Sequence, residues 1–292
     1  MAITAALVKE LRERSGAGMM DCKKALTETN GDIEAALDLM RASGAAKAAK
    51  KAGRIAAEGL VKITTNEDNS VATILEVNCE TDFVAKGDEF QNFVNKLGDL
   101  SLSTKPSNID DFMNESLDGE SLEKVREDIV AKIGENISIR RVATINADGG
   151  IIGAYKHGEK IAVVTILQGG DEALAKDISM HIAASKPECV KEADIPADLI
   201  EREKAIFVEQ ARESGKPDDI IEKMIVGKMK KFAAEVTLEG QSFVKDPDLT
   251  VAQLLKNNNA SVVSFTRYEV GEGIEKKEDN FVEEVMAQAK GE

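Results

Sequence analysis

Apolar residues in the first part of the chain recur at intervals of three and four, a spacing typical of amphipathic helices. One helix is predicted over "ITAALVKELRERSGAG", where Thr4 can cap the N-terminus and glycines end the run. A second fits "MDCKKALTET" with Asp21 as its cap, and a third begins at Asp32. Residues 1–54 are therefore predicted to form a three-helix module and a lysine-rich linker, whose basic residues fit a solvated helix better than a contact patch.

From residue 59 the apolar residues no longer recur at helical intervals, and runs rich in β-branched residues indicate strands. "GLVKITT" and "SVATILEVN" are joined by the turn-forming "NEDN", which predicts a hairpin. Asp88 can cap the next helix, and a polar span around Pro106 follows. A further helix carries Leu122 and Ile129 on one face, and "ISIRRVATI" supplies a third strand. We assign these elements to one core subdomain, residues 55–148.

The next part of the chain repeats this order of elements. Strands "IIGAYK" and "KIAVVTIL" flank a turn at His157 and Gly158, a helix capped by Asp171 follows, and "ASVVSFTRYEV" closes the unit. The repetition predicts an internal duplication of an α+β unit, with residues 149–186 and 238–271 as the second subdomain.

An insertion interrupts the second subdomain. Residues 187–237 carry no strand signal, and apolar residues at helical intervals on both sides of "SGKPDD" predict a helical hairpin, an antiparallel coiled coil. Residues 272–292 offer a last amphipathic helix with Phe281 and Val285 on one side. The predicted fold class is α+β: a three-helix module, a duplicated core of two antiparallel-sheet subdomains, the helical hairpin and a C-terminal helix.

Composition and charge narrow the classes of function. The 292 residues include 38 Lys and Arg against 53 Asp and Glu, a formal net charge of -15, which disfavours direct binding to nucleic acid. The three cysteines form no C-x-x-C pair and indicate reduced thiols. No run approaches the ~18 apolar residues of a membrane span. We therefore expect a cytoplasmic protein without a membrane partner.

The sequence contains few of the residue patterns that known types of catalysis require. The chain has two histidines: His181 lies in a predicted helix, where packing or capping is the usual role, and His157 at a hairpin tip fits solvent exposure. Neither has neighbours at zinc-ligand spacing, "GAYKHGEK" lacks the ending of a phosphate loop, and G-x-S-x-G is missing. We expect no metal, no cofactor and no covalent catalysis, and an enzyme is the minority hypothesis.

The stretch "NCETDFVAK" places a phenylalanine beside an acid in a chain that has nine Phe, two Tyr and no Trp. Thr81 and Asp82 are turn formers that can hold a loop by local backbone hydrogen bonds. Phe83 could then project as an apolar wedge, or it could seal the end of its own hairpin core. The sequence alone favours neither alternative.

Five stretches resemble one family. They are "LVKELRERSGAGMMDCKKAL", "NCETDFVAK", "KIGENISIRR", "MHIAASKPE" and the run from "FVKDPDLTVAQLLK" to "VGEGIEK". Together they are similar, along the whole chain, to the bacterial elongation factor Ts family. The resemblance implies a guanine nucleotide exchange factor that binds the GTPase elongation factor Tu, both GDP-bound and nucleotide-free, without covalent chemistry. It also implies the order of parts given above, with a UBA-like N-terminal module.

The resemblance further implies which residues touch the partner. The element Thr81, Asp82, Phe83 and Val84 would press against the GTPase domain and disturb the surroundings of its bound magnesium. Other contacts would come from the N-terminal module and the second subdomain, at Arg12, Met19, Met20, Lys23 and His157. One of the two methionines is expected to belong to the core of its module. The competing hypothesis is a scaffold that binds helices without affecting nucleotide, and the hairpin would also permit self-association.

Overall fold

The computed structural model describes residues 3–15, 17–213 and 217–275, the side chains of residues 45 and 46 excepted. Its first helices are α1 Ala5–Ser15, α2 Met19–Glu28 and α3 Ile33–Lys51. The predicted cap Thr4 is confirmed, because its side chain accepts a hydrogen bond from the backbone N–H group of Leu7. The third helix, predicted to begin at Asp32, begins at Ile33, and Asp32 caps it by accepting a hydrogen bond from Ala35 N. Asp21 is not a cap: α2 begins two residues earlier, with Gly18 at its N-cap position.

The next elements build a first antiparallel sheet. They are β1 Glu58–Thr65, β2 Val71–Cys79, α4 Asp82–Lys86, α5 Asp88–Thr104, α6 Ile109–Met113, β3 Ser116–Leu117, β4 Glu120–Ser121, α7 Leu122–Ile133 and β5 Ser138–Asn146. The strand order is β1-β2-β5. Asp88 is the first residue of α5 and Gly87 its N-cap, so the predicted cap was wrong by one position. The polar span around Pro106 contains α6 and the β3–β4 hairpin, which the sequence pattern did not predict.

A second sheet follows with the order β10-β7-β6. Its elements are β6 Ile151–His157, β7 Ile161–Gln168, α8 Glu172–Ser185, a short 3₁₀ helix Glu192–Asp194, α9 Ala197–Arg212, α10 Asp218–Val236, β8 Ser242–Phe243, β9 Asp246–Thr250, α11 Val251–Asn257 and β10 Ser261–Glu269. Asp171 caps α8 as predicted. The elements β8, β9 and α11 were not predicted. Mixed helices and antiparallel sheets confirm the α+β class, while the proposed domain boundaries stay a prediction.

The two sheets pack face to face. Val61 and Ile74 of the first sheet share a buried core with Ile152 and Val164 of the second. Helix α5 covers the outer face of the first sheet and α8 that of the second. All nine residues of β2 are buried, because this strand is central in its sheet and covered on both sides.

The inserted segment forms the antiparallel pair α9 and α10, where the rings of Phe207 and Phe232 meet edge to face with centroids 6.4 Å apart. The predicted C-terminal helix with Phe281 and Val285 lies outside the described residues. Among the residues that are described, no helix combines the length and apolar character needed to cross a membrane.

Candidate functional site

The "NCETDFVAK" stretch ends in a short helix rather than a loop. Thr81 is the N-cap of α4, and its Oγ1 accepts a hydrogen bond from Val84 N at 3.3 Å. Ala85 is buried and Val84 packs partly against the core of the first sheet. Phe83 points the other way and is 81 % exposed. The alternative in which Phe83 seals its own hairpin is therefore wrong for this structure.

Asp82 lies at the start of α4 and pairs with Lys86, one turn later, at 2.7 Å. This hydrogen bond, supported by the charges of Lys86 and Lys160, lowers the pKa of the Asp82 carboxyl group. The acid therefore stays ionised beside the exposed ring, and its main side-chain partner is a lysine rather than the local backbone that the sequence suggested.

Glu135 connects α4 to the segment that follows α7. One oxygen of its carboxylate accepts hydrogen bonds from the backbone N–H groups of Glu80 and Thr81, each at 3.0 Å, and the other accepts from Thr81 Oγ1 at 2.6 Å. In return, Glu80 Oε1 accepts from Asn136 N at 2.6 Å. The stretches "NCETDFVAK" and "KIGENISIRR" are thus in direct contact. Sequence reasoning missed Glu135, since both stretches were noted but nothing in one sequence shows that they meet.

Cys79 closes the base of this site. Its thiol is buried and donates to the backbone oxygen of Thr81 at 3.2 Å. Burial, together with the charge of Glu135, raises the pKa of Cys79 to about 12. The thiol is therefore neutral and serves as a packed hydrogen-bond donor rather than as a nucleophile.

His157 is the last residue of β6 and is exposed, with Tyr155 Oη 3.3 Å from its Nδ1. The turn that follows His157 contacts the first sheet. Val61 N donates to Glu159 O at 3.0 Å, and Lys160 forms an ion pair with Glu58. Because Glu58 lies opposite Cys79 in the β1–β2 pairing, the turn after His157 and the base of α4 lie at the same end of the first sheet.

The N-terminal candidates all lie on the surface. Met19 and Met20 are 59 % and 74 % exposed, so the expectation that one of them belongs to the core is wrong. Cys22, Ala25 and Leu26 take the inward positions of α2 instead. Arg12 and Lys23 are exposed as well. Two adjacent exposed methionines at the start of a helix form a flexible apolar surface suited to binding a partner.

His181 takes no part in the site. It is fully buried, its Nδ1 accepts from Val244 N at 3.2 Å, and its Nε2 lies 3.0 Å from Gln241 Oε1. Burial lowers the pKa of His181, although the contact with Gln241 opposes the shift. The expectation of a packed histidine is confirmed.

Glu76 ties the two sheets together. Its carboxylate is completely buried and contacts Arg140, Arg141 and Asn78 on its own sheet and the backbone N–H of Gly271, just after β10, at 2.8 Å. A buried charge held by so many donors fixes the register of the segments that supply them. The exposed residues Phe83 and His157 are thus carried by one braced body.

The chain is similar in sequence to a family of known proteins over its whole length. A sequence model of the family described as "Elongation factor TS" matches residues 80–272. A protein named "Elongation factor Ts" from Ruthia magnifica subsp. Calyptogena magnifica is 68% identical over 292 residues, covering 100% of this chain and 99% of that protein. The protein of the same name from Thioalkalivibrio sulfidiphilus is 58% identical over 292 residues and covers 100% of both chains. That from Legionella pneumophila strain Paris is 57% identical over 289 residues and covers 99% of each.

Proposed function

The chain belongs to the elongation factor Ts family, and we propose that it is a guanine nucleotide exchange factor that binds elongation factor Tu carrying GDP and promotes GDP release during translation elongation. The observation that supports this most directly is the Phe83 ring, 81 % exposed on a helix of only five residues. Exposed aromatic rings are among the side chains that most often dominate the binding energy of protein interfaces, which fits a ring that enters a partner.

Phe83 acts as a wedge against the GTPase domain near its bound magnesium. Magnesium neutralises much of the charge on the phosphates of the nucleotide, so disturbing its surroundings weakens GDP binding without breaking a covalent bond. Asp82 stays ionised beside the ring through its pair with Lys86. Because the two charges of this pair largely cancel, the pair shapes α4 beside the ring rather than adding a net charge at the magnesium site.

Thermodynamic linkage determines the form of the cycle. If this protein weakens GDP binding by some factor, GDP weakens binding of this protein by the same factor. Exchange therefore passes through a transient ternary complex and a nucleotide-free complex, and the incoming nucleotide releases the factor.

Docking needs contacts besides the wedge. Met19 and Met20, with Arg12 and Lys23 nearby in sequence, present the N-terminal surface, and His157 adds a contact from the second sheet. Because the sheets share a core and the Glu76 network, a push at Phe83 is resisted at His157. Two contacts on one stiff body give the lever that tilts one domain of the partner against another.

Release of fluorescent GDP from purified elongation factor Tu tests this function. We expect catalytic amounts of the protein to accelerate release in the presence of excess unlabelled GDP. The competing scaffold hypothesis predicts binding of elongation factor Tu, or of other helical proteins, with no change in the release rate. An unchanged rate at saturating protein would therefore refute the exchange function.

A further inference from the structure

We infer that Glu135 is the positioning residue for Phe83: its carboxylate fixes the first residues of α4 so that the ring projects before the partner arrives. The inference rests on the proposed function and adds a residue that lies on a different segment of the chain. Its basis is the set of three hydrogen bonds from Glu80 N, Thr81 N and Thr81 Oγ1 to the two oxygens of one side chain.

Helix α4 needs such support because it is short. A helix of five residues does not persist by itself, since nucleation costs more than one turn of hydrogen bonds returns. Its own N-cap, Thr81, supplies a single contact to Val84 N at 3.3 Å. The same hydroxyl donates to Glu135, so the cap and the contact with Glu135 orient each other.

A carboxylate suits this position chemically. The three groups that meet it are all donors, two N–H and one O–H, and an ionised carboxylate is the one side chain that is purely an acceptor with two oxygens. Hydrogen bonds to a charged acceptor are also stronger than neutral ones. Alanine would leave all three donors to water, whereas glutamine keeps one oxygen for the two backbone N–H groups and can turn its amide toward the Thr81 hydroxyl.

Glu135 itself sits on a braced segment. Lys51, at the end of α3, donates to Gly134 O, and Asn136 Nδ2 donates to Ala52 O at 3.3 Å and Arg54 O at 2.8 Å. The end of the N-terminal module therefore holds the segment that holds α4. Preorganisation of this kind saves the cost of ordering the Phe83 segment when the complex forms.

The test compares Glu135→Ala, Glu135→Gln and, as a control for the loss of an acidic side chain, Glu67→Ala at an exposed position in the β1–β2 turn. At saturating protein, Glu135→Ala should slow GDP release about tenfold, the order expected for loss of hydrogen bonds to a charged group. Glu135→Gln should stay within about twofold of the wild type, because its amide oxygen still accepts the two backbone hydrogen bonds. Glu67→Ala should match the wild type.

Two further measurements separate positioning from general stability. Amide hydrogen exchange in the peptide covering residues 78–86 should accelerate in Glu135→Ala but not in Glu135→Gln or Glu67→Ala. The double variant Glu135→Ala/Phe83→Ala should release GDP no more slowly than Phe83→Ala alone, because Glu135 acts through the ring. If Glu135→Ala does not fold, Glu135→Asp, which keeps the charge but is one methylene too short, takes its place in every comparison.

Additive losses in the double variant, or a wild-type rate in Glu135→Ala, would overturn the inference while leaving the exchange function intact. Unchanged hydrogen exchange in the 78–86 peptide of Glu135→Ala would overturn it as well. Failure of the wild-type protein to accelerate release would overturn the proposed function and this inference with it.

Discussion

Truncation of Phe83 to alanine should separate stability from exchange. A phenylalanine offers about 200 Å² of side-chain surface, and at 81 % exposure roughly a fifth of it is buried in the free protein. At about 25 cal/mol per Å² that fraction stabilises the fold by ~1 kcal/mol, which corresponds to a loss of about 3 °C in Tm. The fold should therefore survive the substitution.

The surface left exposed, about 160 Å², is what docking can bury, and it sets an upper bound of ~4 kcal/mol. The cost of ordering the ring and its incomplete burial offset part of this free energy, so the ring should contribute about 2 to 3 kcal/mol to the complex. If the contact forms in the complex from which GDP leaves, release at saturating protein slows roughly 30- to 150-fold.

The assay is stopped-flow release of fluorescent GDP from elongation factor Tu at increasing concentrations of the variant. Phe83→Ala should lower the plateau rate rather than shift the concentration of half-saturation, because the wedge acts after binding. Val226→Ala, which truncates another exposed apolar residue on α10, is the matched control and should behave as the wild type. A wild-type plateau for Phe83→Ala, together with a fall in Tm well beyond about 3 °C, would show that the ring is structural.

Four other variants test the second contact, the N-terminal surface, the Glu76 network and the buried histidine. His157→Ala should slow exchange without lowering Tm, since the residue is exposed, and its loss should add roughly to that of the wedge substitution; a normal release rate would make it a solvated residue only. Replacing Met19 and Met20 by alanine should raise the half-saturation concentration at an unchanged plateau, and unchanged titration curves would remove this surface from the interface. Glu76→Ala removes the acceptor shared by the half-buried Arg140 and Arg141 and by the backbone N–H of Gly271, and it should cost about 1 to 3 kcal/mol, seen as a lower midpoint in denaturant; a wild-type midpoint would contradict the role of the network. Burial lowers the pKa of His181, so the folded protein protonates this residue less readily than the unfolded chain, which protonates near pH 6.5. Stability should therefore fall as pH drops below about 6.5, and His181→Gln should show a smaller change in Tm between pH 7.5 and 5.5 than the wild type does; equal slopes would refute this.

Local structure was predictable where the deciding interaction is close in sequence. The predicted caps Thr4 and Asp171 each bond a backbone N–H three residues later, so the interaction that makes them caps is local, although the same residue type misplaced the caps of α2 and α5. The period of the β1–β2 and β6–β7 runs determined both hairpins for the same reason. The short elements β3, β4, β8 and α11, of two to seven residues, were not predicted because they are too short to show a hydrophobic period.

For α2, local sequence signals predicted neither the first residue of the helix nor which of its apolar residues are buried. Helix α2 starts at Met19 rather than after Asp21, with Gly18, a residue type that is also favoured at this position, as its N-cap. The two methionines at that start lie outward, since Cys22, Ala25 and Leu26 already fill the small core of the module. Apolar character alone could not tell these residues apart.

By itself the sequence determined the α+β class, the helical hairpin, the net negative charge and the stretches that resemble the family, because each depends on composition or on spacing along the chain. Only the tertiary structure decided that Phe83 is exposed, that Glu76 is buried between the sheets, and that Glu135 reaches Thr81 across 54 residues of chain. The physical reason is that exposure and long-range hydrogen bonds are set by how the sheets and helices dock, and docking depends on the shapes of all the surfaces involved rather than on any one segment.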